Sequence, residues 1–253
     1  MFKNILYILS ATALLMGCTK NTLELPIEAV TGGARIKLVH VAPDAPGVNL
    51  LVGGQKINGA TPIGASLTNP GTPVPVNYGA AFPNNLSAGY AVIPAGQSAI
   101  TLSAPASTTA GSATVVSQQN LTFENDKNYS LLMAGTGATP EVIVLNDDLS
   151  QTLDPTKFYV RFINLAIGQN YDFGLSTGTI LAPDLAYKGN SGFIPVDAAL
   201  LPSFVMRLPK TAANVVTVTF NSNITGRVLT FVARGVPGRT GAQAPSTTLY
   251  VNR

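Results

Sequence analysis

The sequence predicts an all-β protein, with two antiparallel β-sandwich domains in tandem behind a short secretory leader. Three observations carry this. Short segments alternate apolar and polar residues with a period of two. Turn-forming Gly (24) and Pro (18) recur between them, at the spacing of a sandwich. No stretch sustains helical periodicity. Charged residues are only 11 % of the chain, against about 25 % in an average soluble protein, and Ser, Thr and Asn fill the polar positions instead. That composition fits an extracytoplasmic β-rich chain with many turns.

The leader comes first. After Lys3, the run from Ile5 to Leu15 is almost wholly apolar. It is shorter than the roughly 20 residues that cross a bilayer as a helix and matches the apolar region of a secretory signal. Leu15-Met16-Gly17-Cys18 resembles the bacterial lipobox, in which a small residue precedes the cysteine that receives diacylglycerol. Cys18 is the only cysteine, so no disulfide forms within the chain, and the one thiol stands where lipidation needs it. The expectation is a signal peptide over residues 1–17 and a lipidated Cys18 with its tether over 18–33. Each buried CH₂ of the acyl chains contributes about 0.8 kcal/mol to membrane attachment. A tether of this length holds the body roughly 20 Å from the membrane. The predicted location is the bacterial cell envelope, at the outer membrane.

The first sandwich is expected over residues 34–148. In Ala34–Ala42, Ile36 and Leu38 point one way and Lys37, Val39 and Val41 the other, which reads as a half-buried strand. Pro43-Asp44-Ala45-Pro46-Gly47 breaks it. Val48–Val52 resumes a strand, and Gly53-Gly54 reads as a tight hairpin turn. A polar linker is expected over 149–156 and the second sandwich over 157–253. Lys37–Ala42 lines up with Arg161–Ala166, Val48-Asn49-Leu50 with Tyr171-Asp172-Phe173, Ile93-Pro94 with Ile194-Pro195, and Tyr129–Ala134 with Val228–Ala233. The agreement in order and spacing predicts two copies of one plan.

The stretch Val39-His40-Val41-Ala42-Pro43-Asp44-Ala45-Pro46-Gly47-Val48-Asn49-Leu50-Leu51-Val52-Gly53-Gly54 resembles the opening of a bacterial family known as domain of unknown function 4397. Its pattern is a strand ending in His, a small-Pro-Asp-Ala-Pro turn, and a strand containing Val-Asp. The resemblance implies an Ig-like β-sandwich, often in tandem and often secreted or lipid-anchored. It implies no activity. Asn49 stands where the family has Asp, while Asp172 keeps the acid in the second half; there Asn164-Leu165-Ala166-Ile167-Gly168 replaces the His and the turn.

Chemistry is sparse. Lys and Arg (15) are scattered among Asp and Glu (12), with no basic cluster, so a nucleic-acid partner is not expected. His40 is the only histidine, and it is expected, with Asp44, to brace the strand-to-turn corner rather than to catalyse. No metal, no cofactor and no catalytic residues are expected, and the chain reads as a non-enzyme. Asp147, Asp148 and Asp154 at the junction read as a solvated linker, with a calcium site as the alternative. Tyr78 and Phe82, in the Pro-rich segment from Gly59 to Ser87, and Tyr187 are the candidate binding residues; they either contact a partner or pin their loops to the sandwich. The expected role is a lipid-anchored, non-enzymatic binding, adhesion or structural protein whose partner is an envelope protein or a glycan. The alternative is a glycan-binding accessory lipoprotein of a polysaccharide-uptake system.

Overall fold

A computed structural model describes residues 32–59, 74–86, 88–106, 111–198, 203–219 and 228–253. The signal peptide, Cys18 and the tether up to residue 31, and the centre of the Pro-rich segment, lie outside the described residues. The first half runs through β1 (Ala34–His40), β2 (Asn49–Val52), β3 (Gln55–Lys56), β4 (Ala81–Phe82), β5 (Ala91–Ile93), β6 (Gly96–Ala104), β7 (Thr114–Phe123), β8 (Asn128–Gly135) and β9 (Pro140–Asn146). The second runs through β10 (Lys157–Asn164), β11 (Tyr171–Leu175), β12 (Ile180–Leu185), β13 (Asn190–Asp197), β14 (Phe204–Arg207), β15 (Asn214–Val218), β16 (Val228–Arg234) and β17 (Ser246–Val251). The chain is all-β, as its periodicity predicts.

Each half makes two sheets. In the first, β4-β1-β8-β9, with β5 also on β1, faces β3-β2-β6-β7; in the second, β13-β10-β16-β17 faces β12-β11-β14-β15. The strand order is the same in both. One pair in each half, β1–β8 and β10–β16, is parallel rather than antiparallel. A parallel pair needs a long crossover, and the intervening strands of the opposite sheet supply it. Between β2 and β3, Gly53 and Gly54 take φ of 55° and 83°, the two positive values a two-residue type I′ hairpin requires.

The register corrects two of the alignments read from sequence. Leu38 pairs with Leu131 and Phe162 with Phe231, so Ser130 corresponds to Thr230, one residue away from the sequence match. A slip of one residue exchanges the two faces of a strand, which is why the distinction matters below. Likewise Ile36 pairs with Ala91 and Val160 with Ile194, so the counterpart of Ile194 is Ala91, not Ile93.

Each sandwich has its own core. Ile36, Leu38, Leu50, Ile100, Leu102, Leu131 and Met133 anchor the first. The second is built around Phe162, whose ring stacks on Phe173 at 5.0 Å and on Phe231 at 5.5 Å between centroids. A third cluster joins the two halves: Val39, Val41, Leu132 and Ala134 from the first meet Ile163, Leu165, Val232 and Tyr250 from the second. The strand read as half-buried is therefore buried on both faces, with Val39 and Val41 as inaccessible as Ile36 and Leu38. The result is four stacked sheets. Burying each Val or Leu of the seam contributes about 1.5–3 kcal/mol.

Candidate functional site

The middle of the seam is polar, and it follows from the pleat. Residues alternate between faces, so the seam face of β1 carries Lys37 beside Val39, and the seam face of β10 carries Arg161 beside Ile163. Lys37 pairs with Ser130 and Arg161 with Thr230. Beyond each sheet's last strand, the Asp147 N–H donates to the Asn128 carbonyl and the Asn252 N–H to the Val228 carbonyl, both at 2.7 Å. Lys37, Ser130 and Asp147 thus face Arg161, Thr230 and Asn252 in matched positions. The correspondence extends to the rings: Lys37 lies 5.0 Å from the Tyr90 ring centroid and Arg161 4.5 Å from that of Phe193.

Asp147 is the hub. Its side chain is 0 % exposed and that of Arg161 3 %, and Arg161 Nη2 reaches Asp147 Oδ1 at 2.6 Å. The other carboxylate oxygen accepts from the Ser130 hydroxyl at 2.6 Å and the Tyr90 hydroxyl at 2.8 Å. Arg161 also donates to Tyr250 Oη (3.0 Å) and Thr230 Oγ1 (3.1 Å). Tyr250 passes its proton bond to Ser130 at 2.9 Å, and Thr230 donates to Asn252 at 2.7 Å. Asn252 in turn donates to Tyr90 Oη at 2.9 Å. Such a network is stable only when its members satisfy one another, and these do. Lys37 reaches across the seam to the Val251 carbonyl at 3.0 Å.

The charge count is uneven. Among the described residues of the seam, two buried cations, Lys37 and Arg161, stand with one buried carboxylate, Asp147, and Asn252 occupies the matching position. Burial lowers the Lys37 ammonium from 10.5 to about 8, with the attraction of Asp147 only partly opposing it. Burial likewise pushes the Tyr90 and Tyr250 phenols up, keeping both as neutral donors.

Around this centre run weaker cross-links between the halves. Glu141 holds Lys188 at 2.8 Å and accepts from the Tyr187 hydroxyl at 2.9 Å. Asp44 meets Arg239 at 2.6 Å. These pairs are about half exposed, and solvent screens pairs of that kind.

His40 is buried, and its Nε2 lies 3.0 Å from the Pro46 carbonyl. A carbonyl only accepts, so Nε2 carries the proton, and burial lowers the ring's affinity for a second one, against the pull of that carbonyl. His40 spans the turn by itself; Asp44, at the same turn, reaches outward to Arg239 instead. Tyr78 is partly buried, its ring 6.0 Å from His40 and under the Arg234 guanidinium at 4.6 Å. Phe82 lies in β4, opposite Leu38 and packed on the first core. Tyr187 packs on the seam. Of the junction acids, Asp148 and Asp154 are exposed and cap Ser150 and Thr156, whereas Asp147 is the buried hub. No group of three or more His, Cys, Asp and Glu side chains comes together among the described residues.

Sequence reasoning missed the network and one further motif. Gly174-Leu175-Ser176-Thr177-Gly178 has the Gly-x-Ser-x-Gly spacing of a nucleophile elbow. That elbow is a strand-to-helix turn. Here the segment is the hairpin between β11 and β12, closed by Leu175 N–H to the Thr179 carbonyl at 2.8 Å, with Ser176 exposed. For the network a signal did exist: Lys37 and Arg161 align, and each sits among apolar residues on both faces of its strand.

Two outcomes test the network. Asp147→Asn keeps the shape and removes the charge, leaving Arg161 buried without its partner; chemical denaturation should show a loss of about 3–5 kcal/mol. A loss under about 1 kcal/mol would mean that the pair is dispensable. For Lys37 the sign follows from its lowered pKa: between about pH 8 and 10 the unfolded chain binds more protons than the folded one, so this group makes stability rise with pH. Above about 10 the buried phenols oppose it. The wild type minus Lys37→Met difference should therefore shift in favour of the wild type across pH 8–10, and a flat difference contradicts the assignment.

A family model described as "Domain of unknown function (DUF4397)" matches residues 34–170. The matched span takes in the first sandwich, Asp147 and β10 with Arg161. No curated protein matches the chain.

Proposed function

The chain belongs to the DUF4397 family, and from that premise we propose that it is a lipid-anchored envelope protein with a non-enzymatic binding, adhesion or structural role. Cys18 is its anchor to the membrane, and an envelope protein or a glycan is its partner. The observation that carries the non-enzymatic part is the internal use of the buried ionisable groups. Asp147, Arg161 and Lys37 bond to the protein around them, and His40 bonds to its own turn. Groups held this way rigidify a body rather than act on a bound molecule. The anchoring part rests on the lipobox sequence at Leu15–Cys18. A two-sandwich body with a buried seam presents its loops on a stiff frame, and loops on a rigid scaffold are where recognition concentrates.

Metabolic labelling with a palmitate analogue tests the anchor. The full chain should take up label and fractionate with membranes, and Cys18→Ala should lose both. Label on Cys18→Ala at the wild-type level would refute it. Cross-linking on intact cells, followed by purification of the lipidated chain, should recover a protein or glycan bound to it; a wild-type chain that is soluble and captures neither contradicts the role.

A further inference from the structure

A sheet edge offers unpaired backbone N–H and C=O groups to any strand that can lie alongside it, and native proteins guard such edges with proline, charge, shortness or a cover. Most outer strands here carry a guard. β9 starts with Pro140-Glu141, β12 contains Pro183-Asp184, and β13 contains Pro195 and ends at Asp197. β17 is covered: Asn85 accepts from the Val251 N–H at 2.8 Å and donates to the Leu249 carbonyl at 3.1 Å. β15 is only 5 residues long.

β7 is the exception. It is the outermost strand of its sheet and, at 10 residues, the longest strand among those described. Its sequence, Thr-Val-Val-Ser-Gln-Gln-Asn-Leu-Thr-Phe, holds no charge and no proline. One edge pairs with β6 along its whole length, with a single irregularity near Val116; from Ser117 to Phe123 the pairing is regular. The other edge pairs with no strand among the described residues. Gln118, Asn120 and Thr122 are exposed on the outer face, while Val116 and Leu121 pack against the first core and stay only partly covered.

We propose that β7 is a strand-addition site for a second copy of this chain. A two-fold axis near Asn120 would set two β7 strands antiparallel and join two four-stranded sheets into one. The strand is suited to itself. Its neutrality lets two chains of net charge +3 approach edge to edge without like charges in register. Around that axis Gln118 lies opposite Thr122 and Asn120 opposite its own copy, which gives amide and hydroxyl pairs on the outer face. On the inner face Leu121 lies opposite Gln119 of the second copy, and the added strand covers it. The same patch serves both partners, as a closed two-fold dimer requires.

Sedimentation analysis of the full chain in detergent micelles, over a range of protein concentrations, is the test. The wild type should form a concentration-dependent dimer. Asn120→Lys, which places two ammonium groups face to face, should weaken it by at least about tenfold, or roughly 1.4 kcal/mol. Leu208→Lys, at an exposed turn in the second half, should leave it intact. Hydrogen exchange on the unaltered chain gives an independent reading: amides within 117–123 should gain protection as concentration rises. A wild type that stays monomeric throughout, or a dimer that Asn120→Lys does not weaken and in which 117–123 gains no protection, overturns the proposal.

Discussion

Asp147 and Arg161 meet where water does not reach, and the double-layered architecture depends on their doing so. A sheet buried on both faces must place every second side chain in a dry seam. Most of those side chains here are Val, Leu, Ile or Ala, and they supply the driving force of the seam. The few polar ones would each be costly if left alone. The 2.6 Å ion pair, with Ser130, Tyr90, Tyr250, Thr230 and Asn252 around it, turns that cost into a requirement for one arrangement. A purely apolar seam between two sheets could slide by a residue pair; this one has a hub that fits in one register.

The way the halves repeat explains the uneven charge. The same strand order occurs twice, so the two inner sheets bring matched positions of β1 and β10, and of β8 and β16, into one seam. A cation occupies the matched position in each half, Lys37 and Arg161, and so does a hydroxyl, Ser130 and Thr230. Two matching acids would balance two cations, yet the second position is Asn252. Lys37 is the cation whose proton affinity is lowered, and burial is the cause, with Asp147 partly opposing it. Lysine can release its proton at modest cost where arginine cannot, which fits the arginine being the member that holds the carboxylate.

The strand content, the Gly53-Gly54 hairpin and the family were legible in the sequence, because each rests on local pattern: period two, turn residues, a turn motif. The seam was not. Alternation in β1 reads as one buried and one wet face, and only the apolar character of Val39, Val41, Leu132 and Val232 on the supposed wet face hints otherwise. A strand buried on both faces loses its alternation and reads as a nearly continuous apolar run, as Tyr129–Ala134 and Val228–Ala233 do. Asp147 was illegible for a different reason. It stands next to Asp148, in a polar stretch that composition marks as linker, and its burial depends on a partner in the other half. The aromatic candidates were legible as residues but not as contacts: Tyr78 is engaged by Arg234, far away in sequence, and Tyr187 by Glu141.

If the seam makes the two sandwiches a single body, they must melt together. Differential scanning calorimetry of the full chain tests this most directly. One transition is expected, with calorimetric and van't Hoff enthalpies that agree, the mark of a cooperative unit. Two separable transitions, each with roughly half the enthalpy, would contradict it and reduce the network to a contact between independent domains.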